Sequence, residues 1–371
     1  MARYFIIAGE ASGDIHAAEL IEQIRNLDPQ AECTGLGGDR MVAAKCHLHQ
    51  HYRHMAFMGF AAVLRNIGQV RRNFRIAQEA LLHDRPDVLI LVDYPSFNLR
   101  MAAFCRRHLP ATRIIYYIPP KVWAWKRRRI HRIARLCDEV LGIFPFEPAY
   151  YAQYGYRCTY VGNPTAEEIL QRSDPTAKRS YSASGLTIAI LPGSRRTEIE
   201  NCLPRMLAAA RQYSDYSRVI CAAPGIEDTL YTPYLREGET LRRDTYDVLS
   251  QARLAIVNSG TATLEAALLR CPQVAVYHLA CSQLIGLIRR VVQPLMFSIP
   301  YFTLVNIIAC KQVIRELLAN EFTVTNLSQE IKRLLEDEAY TQNMLASYEH
   351  ISDLLGNQSA ARTAAQYCVP K

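Results

Sequence analysis

Short apolar runs that alternate with helix-patterned segments constrain this chain more than any other feature. The run Val88–Val92 contains no polar residue, which is typical of a strand buried on both faces of a parallel sheet. Strand–helix alternation from end to end predicts an α/β fold built from doubly wound sheets. Strands are predicted over Tyr4–Ala8, Glu32–Gly35, Asp87–Val92, Arg113–Ile118, Glu139–Ile143, Cys158–Val161, Leu186–Leu191, Ser217–Ala222, Leu254–Val257 and Gln273–Tyr277.

The length of 371 residues exceeds what one hydrophobic core usually supports, so two domains are expected. The segment between Val161 and Leu186 is polar and rich in Pro, Ser and Gly, which is typical of a linker. We therefore predict an N-terminal domain over residues 1–165, a C-terminal domain over 166–350 and a helical tail over 351–371. No strand is predicted after about Val313.

The ends and the cysteines indicate the compartment. The first apolar run, Tyr4–Ala8, is too short for a signal peptide, and no stretch reaches the ~18 apolar residues that span a bilayer. The 11 cysteines include no CxxC pair and are irregularly spaced, which favours reduced, mostly buried thiols. A cytoplasmic protein is expected.

The net charge of +8 is unevenly placed, and its densest run is Lys126–Arg129 followed by His131, Arg132 and Arg135. Most charge runs are solvated helix faces. An anionic membrane surface, a phosphorylated substrate or a nucleic acid would also suit this run, and composition alone does not choose among them.

Two loops in the first half place acids where open α/β sheets bind ligands, beyond the carboxyl ends of strands. In the loop Gly9–Asp14 we expect the two glycines to permit a sharp turn, Ser12 or Asp14 to cap a helix starting near Ile15, and Glu10 to lie at the crevice. Asp93 ends the run Val88–Val92, where partial burial would raise its pKa and suit a general base. A helix cap is the alternative role for Asp93.

Two strand–turn–helix loops in the second half suit a nucleotide. The first contains Gly193, Ser194 and Arg195, so that backbone N–H groups and a guanidinium could hold a diphosphate. A capped turn with solvated arginines is the alternative.

The second such loop is Ser259, Gly260, Thr261 and Ala262, a further candidate anion site. Glu265 follows one turn into the predicted helix, where its carboxylate could accept hydrogen bonds from sugar hydroxyls. A surface helix position is the alternative for Glu265.

Eight sequence motifs carry a family resemblance: GEASGD, GLGGDRM, AFMGF, LVDYPSFN, VWAWKRRRI, FPFE, LPGSRRTEIE and NSGTATLEAAL. With these motifs in this order from about Phe5 to Leu318, the chain resembles the lipid-A-disaccharide synthases. The resemblance implies a GT-B glycosyltransferase whose two Rossmann-like domains face a cleft, with the UDP donor in the C-terminal domain and the acceptor in the N-terminal domain.

The resemblance also implies the reaction. UDP-2,3-diacylglucosamine would be joined to 2,3-diacylglucosamine 1-phosphate (lipid X), giving a β-1,6-linked disaccharide and UDP. Asp93 matches the essential acid of the family, and Glu10, Arg195 and Asn306 match other important polar positions. Glu265 matches the ribose-binding acid of the wider fold. No DxD pair is present, and neither a metal nor another cofactor is expected.

With lipid substrates, two amphipathic segments could contact the membrane. Met55–Val70 is mostly apolar and precedes Arg71 and Arg72, and Leu284–Phe297 is mostly apolar around Arg289 and Arg290. Core-facing helices are the alternative. The candidate acceptor or membrane residues are Met58, Gly59, Val63 and Arg127. We expect peripheral association with the cytoplasmic face of the inner membrane, and the sequence is compatible with a homodimer.

Two other functions are compatible with parts of the sequence. A GT-B-type sugar-nucleotide epimerase would share the two nucleotide loops, but it would need a water-accessible cleft and no lipid acceptor. A nucleic-acid-binding protein would need aromatic residues interleaved with the basic run, and only Trp123 and Trp125 lie near it. Nucleic acid is therefore not expected as a partner.

Overall fold

The computed structural model describes residues 2–54, 67–124, 126–172, 185–258, 260–278 and 301–370. The chain forms two compact units, one of Met1–Glu167 with Asn357–Lys371 and one of Glu168–Gly356. Each unit contains one parallel β-sheet with helices between its strands. The predicted α/β fold is thereby confirmed.

The N-terminal unit has a seven-stranded sheet in the order β3-β2-β1-β4-β5-β6-β7. Its strands are β1 Arg3–Ala8, β2 Glu32–Gly37, β3 His47–His51, β4 Val88–Val92, β5 Arg113–Tyr117, β6 Glu139–Gly142 and β7 Thr159–Tyr160. The strand order reverses between β1 and β4, so the carboxyl ends of these two strands flank the crevice where such sheets bind ligands.

Helices cover both faces of this sheet. They are α1 Ala11–Leu27, α2 Asp39–Ala43, α3 Ile67–Asp84, α4 Pro95–His108, α5 Arg129–Leu136 and α6 Glu147–Ala152. The next helix, α7 Pro164–Arg172, contains the boundary between the units, and its Ile169 packs in the core of the C-terminal unit. The crossovers β1–α1–β2 and β4–α4–β5 run in opposite directions across the sheet. Because such crossovers are right-handed, α1 and α4 lie on opposite faces.

The C-terminal helix completes the core of the N-terminal unit. This helix, α14 Ala360–Cys368, packs Ala364, Ala365 and Cys368 against Ile21 and other core residues of α1 and the sheet. Asn357–Lys371 therefore belongs to the N-terminal unit by its contacts. The boundary expected at residue 351 falls inside the preceding helix, α13 Glu338–Leu355.

The C-terminal unit has a six-stranded sheet in the order β10-β9-β8-β11-β12-β13. Its strands are β8 Thr187–Leu191, β9 Ser217–Cys221, β10 Glu239–Arg242, β11 Leu254–Asn258, β12 Gln273–Tyr277 and β13 Glu316–Leu318. Its helices are α8 Arg196–Ala210, α9 Thr245–Gln251, α10 Thr261–Leu268, α11 Leu304–Ile308, α12 Val324–Glu336 and α13. Here the strand order reverses between β8 and β11.

Every strand predicted from the sequence is present, but β3, β10 and β13 were not predicted. All three lie at sheet edges. An edge strand pairs on one side only, and β3 and β10 are partly exposed, so neither shows a continuous apolar run. The expectation of no strand after Val313 is wrong because the three-residue β13 follows it.

Asp14 joins two loops of the N-terminal unit. The helix α1 begins at Ala11 rather than near Ile15, and its N-cap residue Glu10 makes no side-chain cap. The buried Asp14 carboxylate instead accepts the N–H groups of Gly38 (2.7 Å), Arg40 (3.0 Å) and Met41 (3.2 Å) at the start of α2. The expected cap of α1 by Ser12 or Asp14 is therefore wrong, because Asp14 caps α2.

Replacing Asp14 by Ala should leave these three backbone donors without their acceptor in a buried place. We expect the free energy of unfolding of the N-terminal unit to fall by about 2 kcal/mol or more, measured by urea denaturation at neutral pH. Asp39→Ala is the matched control, because that carboxylate is 72% exposed and forms only surface ion pairs. Equal losses in the two variants would contradict the capping role.

Candidate active site

The turn after β4 holds a strained backbone. Asp93 and Tyr94 both have positive φ angles, 46° and 43°, in the left-handed region that non-glycine residues rarely adopt. The Asp93 carbonyl accepts hydrogen bonds from Asn98 Nδ2 (2.7 Å) and from the Tyr116 hydroxyl (2.7 Å). Both donors are fully buried. Strain held in this way is characteristic of functional positions.

The carboxyl groups of Glu10 and Asp93 meet at this turn. Ala8 pairs with Val92 in the sheet, so the residues that follow β1 and β4 emerge side by side. The two side chains share a hydrogen bond, and Ser12 donates to Glu10 Oε1 (3.1 Å). Burial, and then the negative charge of Glu10, raise the pKa of Asp93 to about 6. This agrees with the expected raised pKa, and the N-cap position of α4 is Tyr94, not Asp93.

Gly9 makes room for Tyr94. A Cβ atom on Gly9 would lie 2.2 Å from the Tyr94 ring. Gly9 has no positive φ angle, and Gly13 lies within α1. The expectation that both glycines serve a sharp turn is therefore wrong. Gly9 is needed for another reason, because an aromatic ring approaches it closely.

The loop after β5 is anchored by a buried acid. Glu147 is 1% exposed and accepts hydrogen bonds from Trp123 Nε1 (3.2 Å) and the Phe144 N–H (2.9 Å). Burial raises the pKa of Glu147 to about 7. The anchored loop carries Lys121, whose positive charge opposes the rise in the pKa of Asp93. Arg127 lies farther along, in the turn that leads into α5.

The C-terminal unit contains a cavity of about 450 Å³ at the carboxyl ends of β8 and β11, where its strand order reverses. The structure brings seven of the predicted nucleotide residues to this cavity. They are Gly193, Ser194, Arg195, Gly260, Thr261, Ala262 and Glu265. The predicted residue Ser259 lies outside the described residues.

The two predicted anion loops differ in the groups they offer. Gly260 (φ 148°) leads into α10, whose first residues line the cavity and present their N–H groups at the helix N-terminus. The Ser194 N–H, by contrast, donates to Glu198 Oε2 (3.0 Å). The expectation that this N–H is open to an anion is therefore wrong. The first loop offers the Arg195 guanidinium, which is 67% exposed and contacts Glu198.

Glu265 lines the cavity one turn into α10. Burial raises its pKa to about 7, and the negative charge of Glu168 adds to this rise. A carboxyl group that titrates near neutral pH will become charged when hydroxyl donors bind it, because hydrogen bonds to the charged form lower the pKa.

Sequence reasoning gave no role to the polar cavity residues Thr245, Asn258 and Tyr277. Each lies at or just beyond the carboxyl end of a strand, so the rule that located Asp93 would have found them had it been applied to every strand. Asn258 is 4% exposed, and its Nδ2 donates to the Pro192 carbonyl (3.0 Å). Within the described part of the chain, its Oδ1 has no hydrogen-bond partner.

Asn306 does not line this cavity. It is fully buried in α11, and its Nδ2 donates to the Ile314 carbonyl (2.9 Å) and to Glu316 Oε1 (2.9 Å). Its Oδ1 accepts the N–H groups of Val313 (2.7 Å) and Ile314 (3.0 Å). The expected catalytic contact is corrected to a structural one, since the side chain has no hydrogen-bonding capacity left for a substrate.

Three of the candidate acceptor or membrane residues lie outside the described residues, namely Met58, Gly59 and Val63. The same holds for most of the segment Met55–Val70 and for all of Leu284–Phe297.

Comparison with known proteins places this geometry in a family. Residues 4–368 match the family described as "Lipid-A-disaccharide synthetase". The lipid-A-disaccharide synthase of Myxococcus xanthus is 36% identical, over 98% of this chain and 96% of that protein.

Solved structures share the fold at low identity. The glycosyltransferase of kitacinnamycin has a TM-score of 0.64 at 13% identity, covering 99% of this chain and 98% of its own. The UDP-GlcNAc 2-epimerase from Neisseria meningitidis, bound to UDP-GlcNAc, has a TM-score of 0.60 at 10% identity and covers 98% of each chain. The fold thus occurs in both transferases and epimerases, and the sequence match decides between them. The chain belongs to the lipid-A-disaccharide synthase family of GT-B glycosyltransferases.

Proposed function

We propose that the chain is an inverting glycosyltransferase that joins UDP-2,3-diacylglucosamine to 2,3-diacylglucosamine 1-phosphate, releasing UDP and a β-1,6-linked disaccharide. Family membership supports the reaction class. The observation that carries the mechanism is Asp93, a strained, partly buried carboxyl group whose pKa is raised to about 6. Such a group is charged at neutral pH, yet basic enough to take a proton from a hydroxyl.

Asp93 accepts the proton of the acceptor 6-hydroxyl as that oxygen attacks the anomeric carbon of the donor. The new C–O bond forms on the face opposite the departing diphosphate, which converts an α-linked donor into a β-linked product. The electron pair of the breaking bond leaves on UDP. Glu10 keeps the pKa of Asp93 high through its charge and its hydrogen bond, and thereby increases the basicity of Asp93.

The cavity of the C-terminal unit binds UDP in this proposal. The N–H groups at the start of α10, around Gly260, Thr261 and Ala262, and the Arg195 guanidinium stabilise the charge that develops on the leaving diphosphate. Glu265 accepts the ribose hydroxyls. Asn306 acts indirectly, by holding α11 against β13 through Glu316.

We propose a location at the cytoplasmic face of the inner membrane, because both substrates are lipids. In the described ranges, no helix is long and apolar enough to cross a bilayer. Arg127, in the basic turn before α5, is the described candidate for contact with the acceptor or the membrane.

The reaction is tested by incubating the purified chain with the acylated UDP-sugar, with and without the acylated monosaccharide phosphate. UDP release that requires the second lipid, together with a disaccharide product, is expected. Inversion at C2 of the UDP-sugar without any acceptor would identify an epimerase and overturn the proposal.

Asp93→Asn should lower kcat by about 100-fold to 10,000-fold, because the general base is lost. Asn tolerates the left-handed backbone, so the turn should persist. In the wild type, kcat/KM should fall as the pH drops through about 6, where Asp93 becomes protonated. Asp39→Asn, at an exposed acid of α2, is the control and should keep near-normal turnover.

The same variant should be more stable than the wild type at neutral pH. The folded pKa of Asp93 is raised from 3.8 to about 6, so the folded state binds the proton more tightly and loses stability as the pH rises through this window. We expect Asp93→Asn to increase the free energy of unfolding by about 1–2 kcal/mol above pH 6, and to make little difference below about pH 4. A destabilised variant at pH 7.5 would contradict the assigned burial cost.

UDP binding should release protons near pH 7, because ribose hydroxyls favour the charged form of Glu265. The affinity should therefore increase as the pH rises through about 7, and Glu265→Gln should remove this dependence. Calorimetry in two buffers of different ionisation enthalpy measures the released protons. Glu200→Gln is the control, since Glu200 is exposed on α8 and does not line the cavity. Binding by the wild type without proton release would refute the role of Glu265.

A further inference from the structure

The positive charge of the chain is concentrated in one stretch of the N-terminal unit. Residues 67–136 contain 15 Lys and Arg residues but 4 Asp and Glu residues, whereas the whole chain has a net charge of +8. The rest of the chain is therefore slightly acidic. This excess of basic over acidic side chains is concentrated in less than a fifth of the chain.

The stretch builds the three helices of one layer. Neighbouring helices α3, α4 and α5 pack against one another and cover the face of the sheet opposite to α1. The exposed arginines of this layer, here named the arginine face, are Arg71, Arg72, Arg75, Arg100, Arg107, Arg128, Arg132 and Arg135.

Among the described residues, no carboxylate forms an ion pair with the arginine face. Arg132 donates to the Leu99 carbonyl (3.1 Å), and Arg100 lies 5.3 Å from the ring centre of Phe74. Both partners are neutral. Arg72 and Arg107 form no ion pair with any residue in the described part of the chain. The guanidinium groups are thus held in place or exposed while their charge remains available to an external partner.

The opposite layer of the same sheet differs. Its helices α1, α2 and α14 contain three arginines and four acids, namely Arg25, Arg40, Arg362, Asp14, Glu19, Glu22 and Asp39. One face of the unit is therefore strongly basic while the other is balanced. A general surface property such as solubility does not require this difference in charge between the two faces of the unit.

We propose that the arginine face docks the N-terminal unit onto an anionic lipid bilayer. This inference rests on the proposed function only in that both substrates lie in a membrane. Each basic side chain near an anionic surface contributes about a fivefold increase in partitioning. Single-stranded nucleic acid fits less well, because it is bound mainly by exposed stacking rings, and none of the phenylalanine rings of α3, α4 and α5 is exposed.

The arginine face adjoins the loop of the proposed general base through Arg129, the neighbour of Arg128. Arg129, at the start of α5, donates to the Ser96 hydroxyl (3.4 Å), and Ser96 follows Asp93 by three residues. Docking of this face would therefore place the acceptor side of the N-terminal unit at the lipid surface.

Flotation of the full chain with phosphatidylcholine vesicles, with and without phosphatidylglycerol, tests the proposal. We expect binding to the anionic vesicles only. The variant Arg72→Gln with Arg107→Gln should partition about 30-fold less, since two surface charges are removed. The control, Lys332→Gln with Arg362→Gln, loses the same net charge from α12 and α14 and should bind within about twofold of the wild type.

Equal losses in the two double variants would show a general charge effect and overturn the assignment. So would wild-type flotation of the Arg72/Arg107 variant. If a mixed-sequence RNA binds the wild type and only the RNA affinity depends on Arg72 and Arg107, the face is a nucleic-acid surface. Turnover with detergent-dispersed substrates should be unchanged in both double variants. This assay separates the membrane-docking proposal from the proposed function. If the wild type showed no turnover, the transferase reaction would be refuted, but the flotation result would be unaffected.

Discussion

The hydrogen bonds to the Asp93 carbonyl are the interaction on which the N-terminal site depends. Two consecutive residues in the left-handed region would relax if Asn98 and Tyr116 did not hold the carbonyl from the buried side. The sheet supplies the other half of the constraint. Its order reverses between β1 and β4, so Glu10 and Asp93 leave adjacent strand ends and must share one small, partly buried space. Burial in that space, and then the negative charge of Glu10, raise the pKa of Asp93.

The two units differ in the polar groups that they bring together. The N-terminal unit gathers carboxyl groups whose burial opposes ionisation, while the C-terminal unit gathers helix N–H groups and a guanidinium around a cavity. A base needs the first environment and a departing diphosphate needs the second. Glu265 is the exception, an acid inside the cavity, and its pKa is raised by burial and then by the negative charge of Glu168.

The sequence predicted the parts of the structure that depend on local pattern. Central strands such as β4 are buried on both faces and show it as an apolar run, and acids at their ends are conspicuous. Edge strands lack that signal, as β10 shows. Asn98 and Glu147 were missed for another reason. Their partners, the Asp93 carbonyl and the Trp123 indole, are fixed by the tertiary fold, so no spacing within the sequence identifies them.

Two buried polar contacts each join a pair of the family motifs. Asp14 of GEASGD caps the helix that begins in GLGGDRM, and Glu147 of FPFE receives the indole N–H of VWAW. A buried acceptor that loses its donor costs more than the contact contributes, because neither group can return to water. Each motif therefore constrains its partner motif elsewhere in the chain. Loss of one partner would therefore destabilise the N-terminal unit even where neither motif contacts a substrate.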